Sequence, residues 1–263
     1  MLLKNKTAVV YGAGGAVGGA VARAFAREGA AVYLAGRTTK TLGEVADDIT
    51  AAGGEAEIAV VDALSEDAVE SHLESVVKAA GAVDISFNSI SLFQKDIQGT
   101  PLLELSLENF SRPITTYTRS HFLTARAAGR RMAVRGSGVI LMNTPTPSRS
   151  SAPLIGGMGP AWAAIEALSR DLSAELAGRG VKTVVLRSTG MPETATIDVV
   201  YGLHSKTMGI TVEQYQGIMD SLTHTHRPTT LAEVAEAAVF AASGRVPSMT
   251  GAVINLTGGG LAD

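Results

Sequence analysis

The amino-acid sequence predicts an α/β fold, a doubly wound, seven-stranded parallel sheet with helices on both faces. Seven short runs rich in β-branched residues alternate with longer Ala/Glu/Arg-rich amphipathic stretches, the pattern of strands joined by crossover helices. Runs such as AVVYG and TVVLR are apolar without alternation, as strands covered on both faces must be. A glycine-rich turn directly after the first run adds a strand-to-helix junction near the start of the chain.

The first strand spans Thr7 to Tyr11, and Gly12-Ala13-Gly14-Gly15-Ala16-Val17-Gly18-Gly19 then opens a helix running through Ala24 to Arg27. Glycines at such a turn let the backbone approach a pyrophosphate at the positive helix N-terminus. The second strand, Ala31 to Ala35, ends in Gly36-Arg37. Gly36 removes the carboxylate that would repel a 2′-phosphate, and Arg37 can fork onto one, so NADP(H) is expected over NAD(H). The third strand, Ile58 to Val61, is followed by Asp62, and the fourth, Val83 to Phe87, by Asn88-Ser89-Ile90-Ser91. A fourth helix carries Phe110, Tyr117, His121 and Phe122. The fifth strand is Val139 to Met142, and the fifth helix contains Leu168 to Leu176. The sixth strand is Thr183 to Leu186 and the seventh Val253 to Leu256. Between them, residues 189–228 break the alternation: Met191, Tyr201, His204, Met208 and Tyr215 stand among polar residues, reading as a mobile substrate-binding lid with a short helix near Val212 to Leu222. No linker or charge run divides the chain, so a single domain over residues 1–263 is expected.

A net charge of −3 gives no electrostatic footprint for nucleic acid or an anionic membrane, which leaves a small molecule as the expected partner. The absence of cysteine rules out disulfides and thiolate metal sites and fits a cytoplasmic location. His224 and His226 sit beside Arg227-Pro228 in a polar stretch, so no metal site is expected. No apolar run approaches the roughly 18 residues of a membrane span.

The glycine turn and the segments after it resemble the short-chain dehydrogenase/reductase family, whose fold is Rossmann-like. The resemblance spans essentially the whole chain. Gly12 and Gly18 match the family's loop, with Tyr11 in place of its threonine and Ala16 in place of its middle glycine. Gly190 matches its Pro-Gly turn, with Thr189 replacing the proline, and Thr250-Gly251 and Gly258-Gly259-Gly260 match its C-terminal signature. The resemblance implies a cofactor held by Gly12, Gly14, Gly15, Val17, Gly18, Arg37, Asp62, Asn88 and Thr194, and a homo-oligomer, dimer or tetramer. Asp62 is also an ordinary strand-end residue, and Asn88 equally fits a polar turn that ends its strand.

The same alignment replaces the family's catalytic tetrad. Anchored on Leu168 to Leu176, it puts Met158 at the tyrosine position and Trp162 at the lysine position. Pro145, with Thr144 before it, falls at the serine and Tyr117 at the asparagine. No tyrosine in the chain is followed four residues later by lysine. Proton transfer to a carbonyl oxygen needs an acid, and the candidate is Tyr117 supported by His121 one helical turn on; the alternative is a tyrosine packed in the core. Ser91 and Thr144 are candidates to bind a substrate oxygen, Met158 and Trp162 to form an apolar pocket floor, and Tyr201 and His204 to close over it. The implied activity is an atypical NADP(H)-dependent oxidoreductase acting on a small carbonyl, enone or imine. Its rivals are a non-redox cyclase, isomerase or lyase, and a catalytically silent nucleotide-binding subunit.

Overall fold

The structure is a computed structural model that describes residues 1–262. Strands β1 (Thr7–Tyr11), β2 (Ala31–Gly36), β3 (Glu55–Val60), β4 (Ile85–Asn88), β5 (Gly138–Pro145), β6 (Val181–Ser188) and β7 (Ala252–Leu256) form one sheet in the order β3-β2-β1-β4-β5-β6-β7. Every pairing is parallel. The helices are α1 (Ala16–Arg27), α2 (Thr39–Ala51), α3 (Glu66–Ala80), α4 (Leu107–Arg135), α5 (Met158–Leu176), α6 (Ala195–Met208), α7 (Val212–Ser221) and α8 (Leu231–Ala242).

Alternation along the strands feeds two cores. Ala8 and Val10 of β1 pack with α1, α2 and α8, whereas Val9 and Tyr11 pack with α3, α4 and α5. Chain order reverses between β1 and β4, so the loops leaving these neighbours run to opposite faces and open a crevice at the C-terminal sheet edge.

Two expectations need correction. β3 begins at Glu55 and is an edge strand, with Glu55, Glu57, Ile58 and Val60 exposed, so it is not covered on both sides. Residues 189–228 hold two helices, α6 and α7, where one was expected. Their contact is an apolar cluster of Val200, Tyr201 and Tyr215, with the Tyr201 and Tyr215 rings edge-on at 5.1 Å between centroids. Among the described residues no helix is long and apolar enough to cross a membrane.

Candidate active site

Gly12 leaves β1 with φ +75°, a conformation glycine adopts without strain. A Cβ on Gly12 would stand 2.8 Å from the Ser89 carbonyl oxygen, and one on Gly18 would stand 2.3 Å from the Gly12 oxygen. The turn is therefore pressed against the β4 loop, and only hydrogen fits at either position. Gly15 precedes α1 without any side-chain cap, which leaves the first N–H groups of the helix for a ligand anion. Ala16 is exposed at the helix start, and Val17 is half-buried behind it. Arg37, just beyond Gly36, is exposed and makes no hydrogen bond or ion pair among the described residues. Asp62 is exposed, and its Oδ1 accepts from the Leu64 N–H at 3.0 Å, forming the turn into α3. This donor set fits a dinucleotide: a cradle that a Cβ would fill, open helix N–H groups, and a free guanidinium at the end of β2.

Two cofactor candidates are committed elsewhere. Asn88 is buried; its Nδ2 donates to Thr124 Oγ1 at 3.0 Å and its Oδ1 accepts from the Ile90 N–H at 3.1 Å, so the side chain ties β4 to α4. The hydroxyl of Thr194 donates to the Met191 carbonyl at 2.9 Å and accepts from the Ile197 N–H, capping α6.

Across the crevice, Tyr117 projects from α4 and is buried. Ser91, the Leu92 backbone, Gln94 and the Trp162 indole approach its phenol, none within full hydrogen-bond geometry. Burial raises its pKa, and these four neighbours only partly offset that rise. The Tyr117 and Trp162 rings lie 6.4 Å apart. Met158 opens α5 and Trp162 follows one turn later, both buried in the core that α5 shares with α4. The expected Tyr117–His121 relay does not form. His121 Nδ1 lies 2.9 Å from the main-chain carbonyl of Tyr117, and its Nε2 has no hydrogen-bond partner among the described residues. Burial pushes the His121 imidazole down to about 4, which keeps it neutral.

Two pocket candidates, Thr144 and His204, are also corrected. Thr144 is fully buried, and its hydroxyl is taken up inside the protein, donating to Glu166 Oε1 at 3.0 Å. His204 is buried with both ring nitrogens engaged, by Gln98 Oε1 and the Tyr215 hydroxyl, and is no open gate. Tyr201 is buried too, yet its phenol oxygen comes within 3.5 Å of where a Cβ on Gly190 would stand, so its tip reaches the loop after β6.

Beneath the site lies an ion pair that the sequence reading missed. Arg187 of β6 and Glu166 of α5 are buried and meet in a fork, with Nε–Oε1 at 2.9 Å and Nη2–Oε2 at 2.7 Å. Ser148 and Thr144 donate to the same carboxylate. Burial alone would raise the Glu166 pKa, but the Arg187 fork and the two hydroxyls outweigh it and hold the carboxyl below its ordinary value. The available signal was Arg187 itself, a charge ending the otherwise apolar run TVVLR.

The family model described as enoyl-(acyl carrier protein) reductase matches residues 12–260. The uncharacterized oxidoreductase YxbG of Bacillus subtilis (strain 168) is 31% identical over 258 residues, covering 98% of this chain and 91% of that protein. A candidate NAD(P)-dependent gluconate 5-dehydrogenase of Beutenbergia cavernae, crystallised with NADP at low occupancy, superposes with a TM-score of 0.87. It is 28% identical, and the match covers 99% of this chain and 98% of that one. An NAD+-bound xylitol dehydrogenase shares the fold with a TM-score of 0.92 at 24% identity, covering 98% of this chain and 99% of that one. Sheet order, glycine cradle and these matches agree: the chain belongs to the short-chain dehydrogenase/reductase family of oxidoreductases.

Proposed function

We propose that this protein is an atypical NADP(H)-dependent oxidoreductase acting on a small, uncharged carbonyl, enone or imine compound, with Tyr117 as its proton donor in place of the family's tyrosine and lysine. The observation that carries the reading is the placement of one buried phenol among the polar groups of Ser91, Leu92, Gln94 and Trp162. When bound, the dinucleotide supplies or accepts the hydride. Gly12, Gly14, Gly15, Val17 and Gly18 would seat its pyrophosphate, and Arg37 would pair with its 2′-phosphate. Asp62 would hold the adenine end, and the backbone around Asn88 and Thr194 the other. Ser91 orients the substrate oxygen, and Tyr117 Oη holds the proton it receives. Met158 and Trp162 exclude water beneath it, and the Tyr201 tip closes the side toward Gly190. The groups around the phenol carry no charge, which favours a neutral substrate.

Lack of cysteine supports a cytoplasmic setting, and the exposed Phe122 and Val134 on α4 support a dimer or tetramer built through α4 and α5. Trp162 is the only tryptophan and lies at the site, so its quenching reports cofactor binding. Titration should give tighter binding of NADPH than of NADH, and Arg37→Asp should reverse the order by removing a charge-assisted pair worth about 1.5–3 kcal/mol. Equal dissociation constants in the unaltered protein would refute the NADP assignment.

A further inference from the structure

A buried chain of hydrogen bonds runs from the α6–α7 pair to Gln94, one of the groups around the Tyr117 phenol. Gln94, Gln98 and His204 are all buried. Gln94 Nε2 donates to the Leu92 carbonyl at 2.6 Å, and Gln98 Nε2 donates to Gln94 Oε1 at 2.8 Å. His204 Nε2 stands 3.1 Å from Gln98 Oε1, and the Tyr215 hydroxyl stands 3.0 Å from His204 Nδ1.

The direction of this chain is determined at one end. A carbonyl only accepts, so the amide nitrogen of Gln94 must face Leu92, and its oxygen is left to accept from Gln98. Gln98 then presents its own oxygen to His204, whose Nε2 must carry the hydrogen. Nδ1 remains bare and accepts from Tyr215. Flipping either amide would set oxygen against oxygen and nitrogen against nitrogen, so the arrangement holds in one sense only. Its last member, Gln94, is one of the groups around the Tyr117 phenol.

We infer that His204 is a positioning residue for Tyr117: its Nε2–H holds Gln98, Gln98 holds Gln94, and Gln94 frames the phenol oxygen, so the proton donor is set only when α6 and α7 are seated. The inference rests on the proposed role of Tyr117. It also explains why a histidine is buried at the α6–α7 contact with neither nitrogen left for solvent.

The test uses the full chain without cofactor and reads Trp162 emission, alongside melting curves that establish folding. His204→Phe and Gln98→Met should shift the emission in the same direction, and the double variant should add little to either single one. His204→Gln, which keeps an N–H near the Nε2 position, should restore the native spectrum. Nitrogen NMR should find Nε2 protonated and Nδ1 bare. With a substrate in hand, His204→Phe should lower kcat about tenfold with KM nearly unchanged. A folded His204→Phe or Gln98→Met variant with native emission, or a His204 protonated on Nδ1 alone, overturns the inference; should one variant not fold, the other decides. The two readings fail separately. Normal turnover by Tyr117→Phe removes the proton-donor role while leaving the emission coupling intact, and native emission in the chain variants removes the coupling alone.

Discussion

At Tyr117 two opposing effects act on one phenol. Burial favours the neutral form, the surrounding dipoles of Ser91, Leu92, Gln94 and Trp162 favour the anion, and burial wins. The proton therefore stays on through neutral pH. His121, with its pKa depressed to about 4, is neutral over the same range. Reduction should run at a flat rate between about pH 6 and 9, and His121→Ala should leave that profile in place. Tyr117→Phe should lower turnover by about 10²-fold or more with cofactor affinity unchanged. Steady-state kinetics across that pH range decides it, and a titration midpoint near 7 would identify a different acid. Glu166 offers a second residue-scale outcome. Glu166→Gln leaves Arg187 buried with its charge uncompensated, which should cost about 3–5 kcal/mol in denaturant melts, while Glu166→Met combined with Arg187→Met should recover most of that loss. Tyr117 was legible because helical spacing and flanking phenylalanines located it. The Glu166–Arg187 pair was not, because its partners lie on separate elements and meet only when α5 packs against β6. The Tyr117–His121 spacing was read correctly as one helix face, but the ring turned to the backbone, a rotamer choice that spacing does not determine.

Among the elements, α1 and its glycine turn leave little room for change. Gly18→Ala would place a methyl 2.3 Å from the Gly12 oxygen and 2.7 Å from Ser89 Oγ, whereas Gly15→Ala would approach nothing closer than 3.3 Å. Gly18→Ala should therefore lose about 1–3 kcal/mol of stability and most cofactor binding, with Gly15→Ala much milder on stability. Melting curves and NADPH titration of the two variants check the contrast. The strand centres were readable from their apolar runs, but β5 and β6 extend to Pro145 and Ser188 because their ends pair with each other beyond the hydrophobic stretch. α6 escaped notice because its buried side mixes Val200 and Tyr201 with His204 and Ser205, which blurs the apolar period. Its punctuation was present all the same, in the Thr194 cap and in Gly209 at φ +69°. α7 carries a Thr211–Gln214 capping box, a signal the sequence shows directly.

On the scale of the whole molecule, the parallel order brings the loops after β1, β2, β4 and β6 to one end of the sheet, where the glycine cradle, Arg37, Ser91 and the Tyr201 tip gather. A hydroxyl exchange steadies this end: Thr189 and Thr229 bond through their side chains at 2.9 Å, and Thr229 also donates to the Leu256 carbonyl, tying the β6 loop to β7. The parallel, doubly wound sheet was expected from the alternation of elements, whereas the fate of individual hydroxyls was not, since each depends on a partner distant in sequence.

The exposed β3 edge has a consequence for how copies of this protein behave in concentrated solution. Its outermost ladder groups face solvent beside Ile58 and Val60, and a strand of that kind invites another chain to add itself to the sheet. Glu55 and Glu57 put like charges on any two such edges that meet, so the carboxylates act as a barrier to open-ended strand addition. Exchanging both for valine should leave the fold and cofactor binding intact while producing light-scattering assemblies that grow with protein concentration, an outcome that dynamic light scattering against the unaltered chain will show or refute.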